Sequence, residues 1–272
     1  MSQRNATTHA VITGGTQGVG LAFAKRLASE GAPKIAICGR DDKHGPTAAA
    51  EVSKLGAECI FIPADVSIAD DCHRLMDTAI NKFGSINALV NSAALTTRGT
   101  LLDTSLELWE AHQNTNLRAP FLTIQRTVKH LLETGQPGSI VNVISVAAYC
   151  GAPFLVPYSI SKGGLAILTK NVAATYSTKH IRCNGIMLGW TETPSEATIQ
   201  KRFHGASDNW AEVGAANQPM GRLIQPDEVA GLAAYMLSPE SGVMTGSLVH
   251  YDQGVLGEPG ASWADVSGGD KG

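Results

Sequence analysis

The chain has 272 residues, 43% of them hydrophobic, and a formal net charge of −3. That length suits an α/β domain with a sizeable core, and the slightly acidic balance excludes a basic field for nucleic acid or anionic membrane. No apolar run reaches membrane-span length, the start from Met1 to Thr8 lacks a signal-peptide core, and the five scattered cysteines show no Cys-x-x-Cys spacing, so we expect a cytoplasmic, disulfide-free protein with no metal and a small-molecule partner.

Residues 9–13, His-Ala-Val-Ile-Thr, read as a short buried strand. They run into Gly14-Gly-Thr-Gln-Gly18-Val-Gly20, and a helical pattern is predicted over 18–30. Glycine lets the backbone approach a pyrophosphate closely, and a helix amino terminus offers free N–H groups and a favourable dipole. The spacing is Thr-Gly-x-x-x-Gly-x-Gly rather than Gly-x-Gly-x-x-Gly. The next strand, 34–39, runs into Cys38-Gly39-Arg40. An acidic residue at such a strand end holds the ribose hydroxyls of NAD, whereas an arginine nearby favours the 2′-phosphate of NADP. A guanidinium grips phosphate with paired hydrogen bonds, so Arg40 favours NADP(H). NAD is the alternative, with Asp41 or Asp42 serving the ribose; a solvated loop charge is the bland reading of Arg40.

Strands at 58–63, 87–91, 139–144, 181–187 and 247–251 then alternate with helices at 44–55, 68–83, 104–132, 156–178 and 226–237. This alternation predicts an α/β fold: a Rossmann-like, doubly wound parallel sheet of about seven strands with helices on both faces. With no repeat and no Pro/Ser-rich linker, residues 1–257 form one dinucleotide-binding and catalytic domain. The segment 190–224 breaks the rhythm after a strand's carboxyl end and is expected to be a substrate-binding insert. Residues 258–272 form a Gly-, Ser- and Asp-rich tail, with disorder expected at its end.

The run Pro157-Tyr-Ser-Ile-Ser-Lys162 carries the chemistry. Tyr158 and Lys162 are four residues apart, so on a helix they share one face, and Ser145 precedes the tyrosine by thirteen residues. A nearby ammonium stabilises phenolate and is expected to pull the tyrosine pKa below its usual value of about 10. Such a tyrosine exchanges a proton with a substrate oxygen while a hydride carrier serves the carbon.

Together the motifs make a recognisable set. Thr13-Gly-Gly-Thr-Gln-Gly-Val-Gly20, Ala64-Asp65-Val66, Asn91-Ser-Ala-Ala94, Asn114-Thr-Asn116-Leu, Ser145, Tyr158-x-x-x-Lys162 and Asn184-Gly-Ile-Met-Leu-Gly189 occur in that order. On these the chain resembles the single-domain short-chain dehydrogenase/reductase family over nearly its whole length. The resemblance implies an NAD(P)-dependent alcohol dehydrogenase or ketoreductase. Tyr158 would be the general acid/base, with Lys162 lowering its pKa and binding the nicotinamide ribose. Ser145 would hold the substrate oxygen. Asn116 would keep the helix 104–132 locally open and join a proton relay through Lys162. On the nucleotide side, Gly14, Thr16, Gln17, Gly18, Val19 and Gly20 would form the phosphate turn. Asp65 and Val66 would meet the adenine, and Asn91, followed by Ala93, would close the floor. Gly189, Thr191 and Thr193 would fix the nicotinamide end. Three positions depart from the family pattern: Leu188 where proline is common, Ala94 where glycine would allow positive φ, and Ala148 where glycine is usual.

Specificity is expected in the loop after Asn91, in 146–156 and in the insert. Tyr149, Trp190 and Trp210 are the candidate substrate contacts, and Phe154 shapes the pocket. Trp109 reads as helix packing, Cys150 as inert and His204 as a solvated side chain. Arg98 is either an anchor for an anionic substrate or a surface charge. The hydrogen-bonding groups suit a sugar, polyol or other small hydroxylated substrate, and hence carbohydrate metabolism. The alternatives are a 3-oxoacyl or general ketone reductase, or a nucleotide-binding sensor without turnover. Family analogy implies a homotetramer paired through helices 104–132 and 156–178.

Overall fold

A computed structural model describes residues 3–254. The predicted tail 258–272 lies outside the described residues. Seven parallel strands form one sheet: β1 (His9–Thr13), β2 (Lys34–Gly39), β3 (Glu58–Pro63), β4 (Ala88–Asn91), β5 (Gly138–Val143), β6 (Ile181–Leu188) and β7 (Leu248–Tyr251). Their order is β3-β2-β1-β4-β5-β6-β7. The winding direction reverses between β1 and β4, so a crevice opens at their carboxyl ends, where such sheets bind ligands.

Helices cover both faces. On one lie α1 (Gly18–Ser29), α2 (His44–Ser53) and α9 (Pro226–Leu237), packed on Ile12, Ile37, Val90 and Val141. On the other lie α3 (Ala69–Phe83), α5 (Ala119–Thr134) and α6 (Val156–Tyr176), packed on Val11, Leu89 and Ile140. Successive residues of β1, Val11 and Ile12, thus enter opposite layers, as the two-residue period of a strand requires. Each fully buried Leu, Ile or Phe contributes about 1.5–3 kcal/mol. Among the described residues no helix is long and apolar enough to cross a membrane.

Two departures from expectation matter for the site. The helix expected over 104–132 is three pieces: α4 (Leu106–Gln113), a π-helical turn at Asn114–Arg118, and α5. Pro120, in the first turn of α5, has no N–H to offer the Asn116 carbonyl, so the regular ladder cannot run through. The insert, in turn, contains α7 (Pro194–His204) and α8 (Trp210–Ala216). Its two ends are held together by a bridge between Thr191 and Ile224.

Candidate active site

The carboxyl ends of β1, β2, β4, β5 and β6 open into one cavity of about 1440 Å³. Its nucleotide end is the turn after β1. Gly14 and Gly18 adopt φ of +66° and +53°, in the left-handed region that glycine accepts most readily. A Cβ on Gly20 would stand 2.2 Å from the Gly14 carbonyl oxygen, and one on Gly14 would stand 2.8 Å from the Ala93 backbone. Gln17, at the start of α1, makes no side-chain cap, and the first turn carries no acid, so its N–H groups are available to an anion. Thr193 faces Gly18 from across the cleft and caps α7 by accepting from Glu196 N at 3.1 Å. Thr16, Gln17, Val19, Gly189 and Thr191 also line the cavity. This cradle fits a dinucleotide diphosphate.

Further out, Arg40 is exposed and lines the cavity, as do Asp65 and Val66. Asp41 is committed elsewhere. It accepts from the Lys43 and His44 backbone N–H groups and from the His44 ring at 2.6 Å, which hold its carboxyl down at about 2. Among the described residues, no carboxylate pairs with Arg40. Asp65 accepts from Ser67 N at 2.9 Å and leaves the start of α3 to Ile68.

At the other end, Ser145, Tyr158 and Lys162 line the same cavity. Ser145 follows β5, and its hydroxyl accepts from Ala147 N at 3.1 Å, starting a short turn. Tyr158 stands in the first turn of α6 and Lys162 one turn later, as the spacing requires. Lys162 is 2% exposed; its Nζ donates to the Val143 carbonyl at 2.7 Å and stands 5.8 Å from the Tyr158 ring centroid. Burial pushes this ammonium down to about 7. Tyr158 keeps an edge on the cavity, but protein packs around the rest of it. Burial pushes the phenol up to about 12, against the pull of the neighbouring Ser145 hydroxyl; Glu196 raises it and Arg98 lowers it. The expected depression of the tyrosine by its lysine is therefore corrected: burial dominates, and it disfavours the charged form of both groups.

Four expected contacts do not reach the cavity. Asn116 is fully buried in the π-turn; its amide donates to Leu95 O at 2.9 Å and Ser161 Oγ at 3.0 Å, and its oxygen accepts from Leu95 N. It ties the loop after β4 to α6 rather than facing a relay. Asn91 lies beneath the wall, donating to Asn142 and accepting from Thr123, because its register on β4 aims it at β5. Ala93 lines the cavity. Tyr149 is half-exposed and stacks on His250 at 5.4 Å, outside the cavity. Trp210 is buried behind Trp190 at 6.2 Å, and only Trp190 lines the cavity. Trp109 is half-buried on α4. Ala94 needs no positive φ: among the described residues His180 is the only non-glycine with one. His204 is not merely solvated, since it accepts from Arg98 Nε at 3.0 Å and packs edge-on to Phe154.

Two residues escaped sequence reasoning. Glu196 lines the cavity and accepts from Arg98, Trp190 and Gln200. The signal was Thr193-Pro-Ser-Glu196, the spacing of a helix start. His112, fully buried, meets the Tyr158 ring edge-on at 6.3 Å and bonds Thr97 at 3.0 Å. Burial holds it down at about 4, so it is neutral.

The comparisons agree with this architecture. The family profile described as Enoyl-(Acyl carrier protein) reductase matches residues 14–256. The chain is 30% identical over 253 residues to the 3beta-hydroxysteroid dehydrogenase 1 of Eggerthella lenta, covering 92% of this chain and 94% of that one. It is 29% identical over 248 residues to glucose 1-dehydrogenase 2 of Bacillus subtilis, covering 90% and 93%. A tryptophan variant of actinorhodin polyketide ketoreductase with NADPH superposes with a TM-score of 0.85 at 29% identity, over 93% of this chain and 98% of that one.

Proposed function

The chain belongs to the short-chain dehydrogenase/reductase family of NAD(P)-dependent oxidoreductases, and from that premise we propose that it interconverts a ketone and a secondary alcohol with Tyr158 as general acid/base. The observation that carries the reading is the meeting of Ser145, Tyr158 and Lys162 in the cavity whose far end is the glycine-rich cradle. A nicotinamide dinucleotide, when bound, would supply or accept the hydride. NADP(H) is the favoured form, with Arg40 on its 2′-phosphate and the α1 amino terminus on its diphosphate. Asp65 and Val66 would meet the adenine. Gly189, Thr191 and Thr193 would bound the nicotinamide end.

In reduction, Tyr158 gives its proton to the substrate oxygen, and in oxidation it takes one. Ser145 donates a hydrogen bond to that oxygen as negative charge develops on it. Lys162, fixed on the Val143 carbonyl with its Nζ 5.8 Å from the Tyr158 ring centroid, would hold the nicotinamide ribose hydroxyls. A phenol pushed up to about 12 holds its proton at neutral pH, as the reductive step requires.

The substrate class we favour is a small hydroxylated ketone or the corresponding sugar or polyol. A general or 3-oxoacyl ketone reductase is the second reading, supported by the likeness to a polyketide ketoreductase. Half-exposed Phe121 on α5 and Ile160 and Ile167 on α6 fit a homotetramer paired through these helices; sedimentation tests this.

The deciding experiment incubates the protein with NADPH or NADH and a panel of ketoses, simple ketones and 3-oxoacyl esters, beside Tyr158→Phe. We expect turnover that the substitution lowers by about 10²–10⁴ while nucleotide binding persists. A wild type that binds NADPH and turns over nothing would favour the sensor reading.

A further inference from the structure

The substrate end of the cavity is spanned by one ion pair. Arg98 comes from the loop after β4 and Glu196 from the first turn of α7, on the opposite wall. Nη2 of Arg98 stands 3.3 Å from Oε1 of Glu196, and the two side chains are only 10% and 15% exposed. The guanidinium is held by three further contacts: Nε donates to His204 at 3.0 Å, Nη1 donates to Thr96 O at 2.8 Å, and the Phe154 ring centroid lies 5.7 Å away. Oε1 also accepts from Trp190 Nε1 at 3.1 Å and Gln200 Nε2 at 2.7 Å. Three donors occupy Oε1, and among the described residues Oε2 has no hydrogen-bond partner. Each terminal guanidinium nitrogen carries two N–H groups, and each uses only one here. Arg98 and Glu196 line the same cavity as Ser145 and Tyr158, so the pair faces the space where a substrate would lie.

We propose that Arg98 and Glu196 form one neutral donor–acceptor subsite that selects a hydroxyl group beside the reacting carbon and rejects a carboxylate there. This rests on the alcohol–ketone reading above. A lone buried arginine would attract an anion, but Glu196 already neutralises this one. A carboxylate brought to the pair would meet the Glu196 charge in a partly desolvated site. A hydroxyl matches both halves: its hydrogen goes to Oε2, and its lone pair takes a remaining guanidinium N–H. Hydrogen bonds to charged groups are the stronger class, and a site built for a hydroxyl penalises its absence.

The test uses hydroxyacetone, butanone and pyruvate, ketones that differ only in the group beside the carbonyl. Their Kd values are read by ligand-observed NMR with saturating oxidised dinucleotide, so that no ketone is reduced. In the wild type, hydroxyacetone should bind about tenfold more tightly than either of the others. Glu196→Gln keeps the acceptor for Trp190 and unmasks the guanidinium; pyruvate should gain about tenfold and overtake hydroxyacetone. Arg98→Gln leaves the carboxylate unpaired and should weaken pyruvate further. A structural disturbance would move pyruvate the same way in both variants, and that result would overturn the proposal. So would equal affinity of the three ketones for the wild type, or failure of hydroxyacetone to bind. The Kd pattern without turnover by NADPH would sink the reductase reading and leave the subsite standing; turnover without the pattern would sink the subsite alone.

Discussion

Replacing Lys162 by methionine should make the protein more stable while abolishing its chemistry. The ammonium is buried, forms no ion pair among the described residues, and is pushed from 10.5 down to about 7. Below about pH 7 the lysine is protonated in folded and unfolded chains alike, and the cost of burying its charge is fully present. Between about 7 and 10.5 the unfolded chain holds a proton that the folded chain does not, so stability rises with pH; above 10.5 both are neutral and the gain ends. At about 1.4 kcal/mol per pH step, the gap corresponds to about 5 kcal/mol as a ceiling. Lys162 borders a cavity that admits water, which lowers this to about 2–3 kcal/mol, and losing the bond to Val143 O takes back about 1 kcal/mol. Lys162→Met should therefore gain about 1–2 kcal/mol near pH 6, and the gain should vanish as pH approaches 10. Urea unfolding of both proteins without added nucleotide measures it, and the wild-type-minus-variant difference cancels other titrating groups. A variant less stable at about pH 6, or a difference that does not change with pH, would refute the reasoning. The predicted gain would make the lysine an example of stability given up for function.

Three further outcomes follow from the same geometry. Arg40→Ala should weaken NADPH about tenfold or more and leave NADH nearly unchanged, read by fluorescence titration; equal loss for both nucleotides would remove Arg40 from the phosphate. Gly20→Ala places a Cβ 2.2 Å from the Gly14 carbonyl oxygen and should cost about 1–3 kcal/mol in thermal unfolding along with most nucleotide affinity; a variant that binds normally would show that the turn can open. Ketone reduction needs the Tyr158 proton, which burial secures up to about 12, so its rate should stay level from about pH 6 to about pH 9 while alcohol oxidation climbs; a reduction rate that falls tenfold over that range would assign the proton to another group.

Much of this was legible because strand and turn chemistry is local. The run His9–Thr13, the positive-φ glycines and the Tyr158–Lys162 spacing each fix geometry within a few residues. What was not legible depends on contacts made far along the chain. Asn91 and Tyr158 look equally available in a motif, but pairing of β4 with β5 turns Asn91 toward Asn142, 51 residues on. Tyr149 and Trp210 lie in segments that border the cavity, and only the short turn after Ser145 and the packing of α8 decide that they face His250 and Trp190 instead. Two signals were present and local: Pro120 inside an apolar run marks the break that became the π-turn, and Thr193-Pro-Ser-Glu196 marks the start of α7.

The lesson of the catalytic pair lies in what burial does to it. Proximity alone would make Lys162 a fixed cation that lowers the tyrosine pKa. In the folded protein both groups favour their neutral forms at and above neutral pH, the phenol pushed to about 12 and the ammonium to about 7. Each charge is costly alone, and the two charges have opposite sign. When Tyr158 hands its proton to a substrate oxygen, the phenolate left behind raises the proton affinity of the neighbouring lysine, and a protonated lysine in turn stabilises the phenolate. The pair then titrates as a unit. On the proposed mechanism, desolvation keeps the tyrosine protonated until transfer, and an ammonium form of Lys162 would stabilise the phenolate left behind. A lysine held permanently charged would lower the phenol's pKa, making it a stronger acid but keeping it protonated over a narrower pH range.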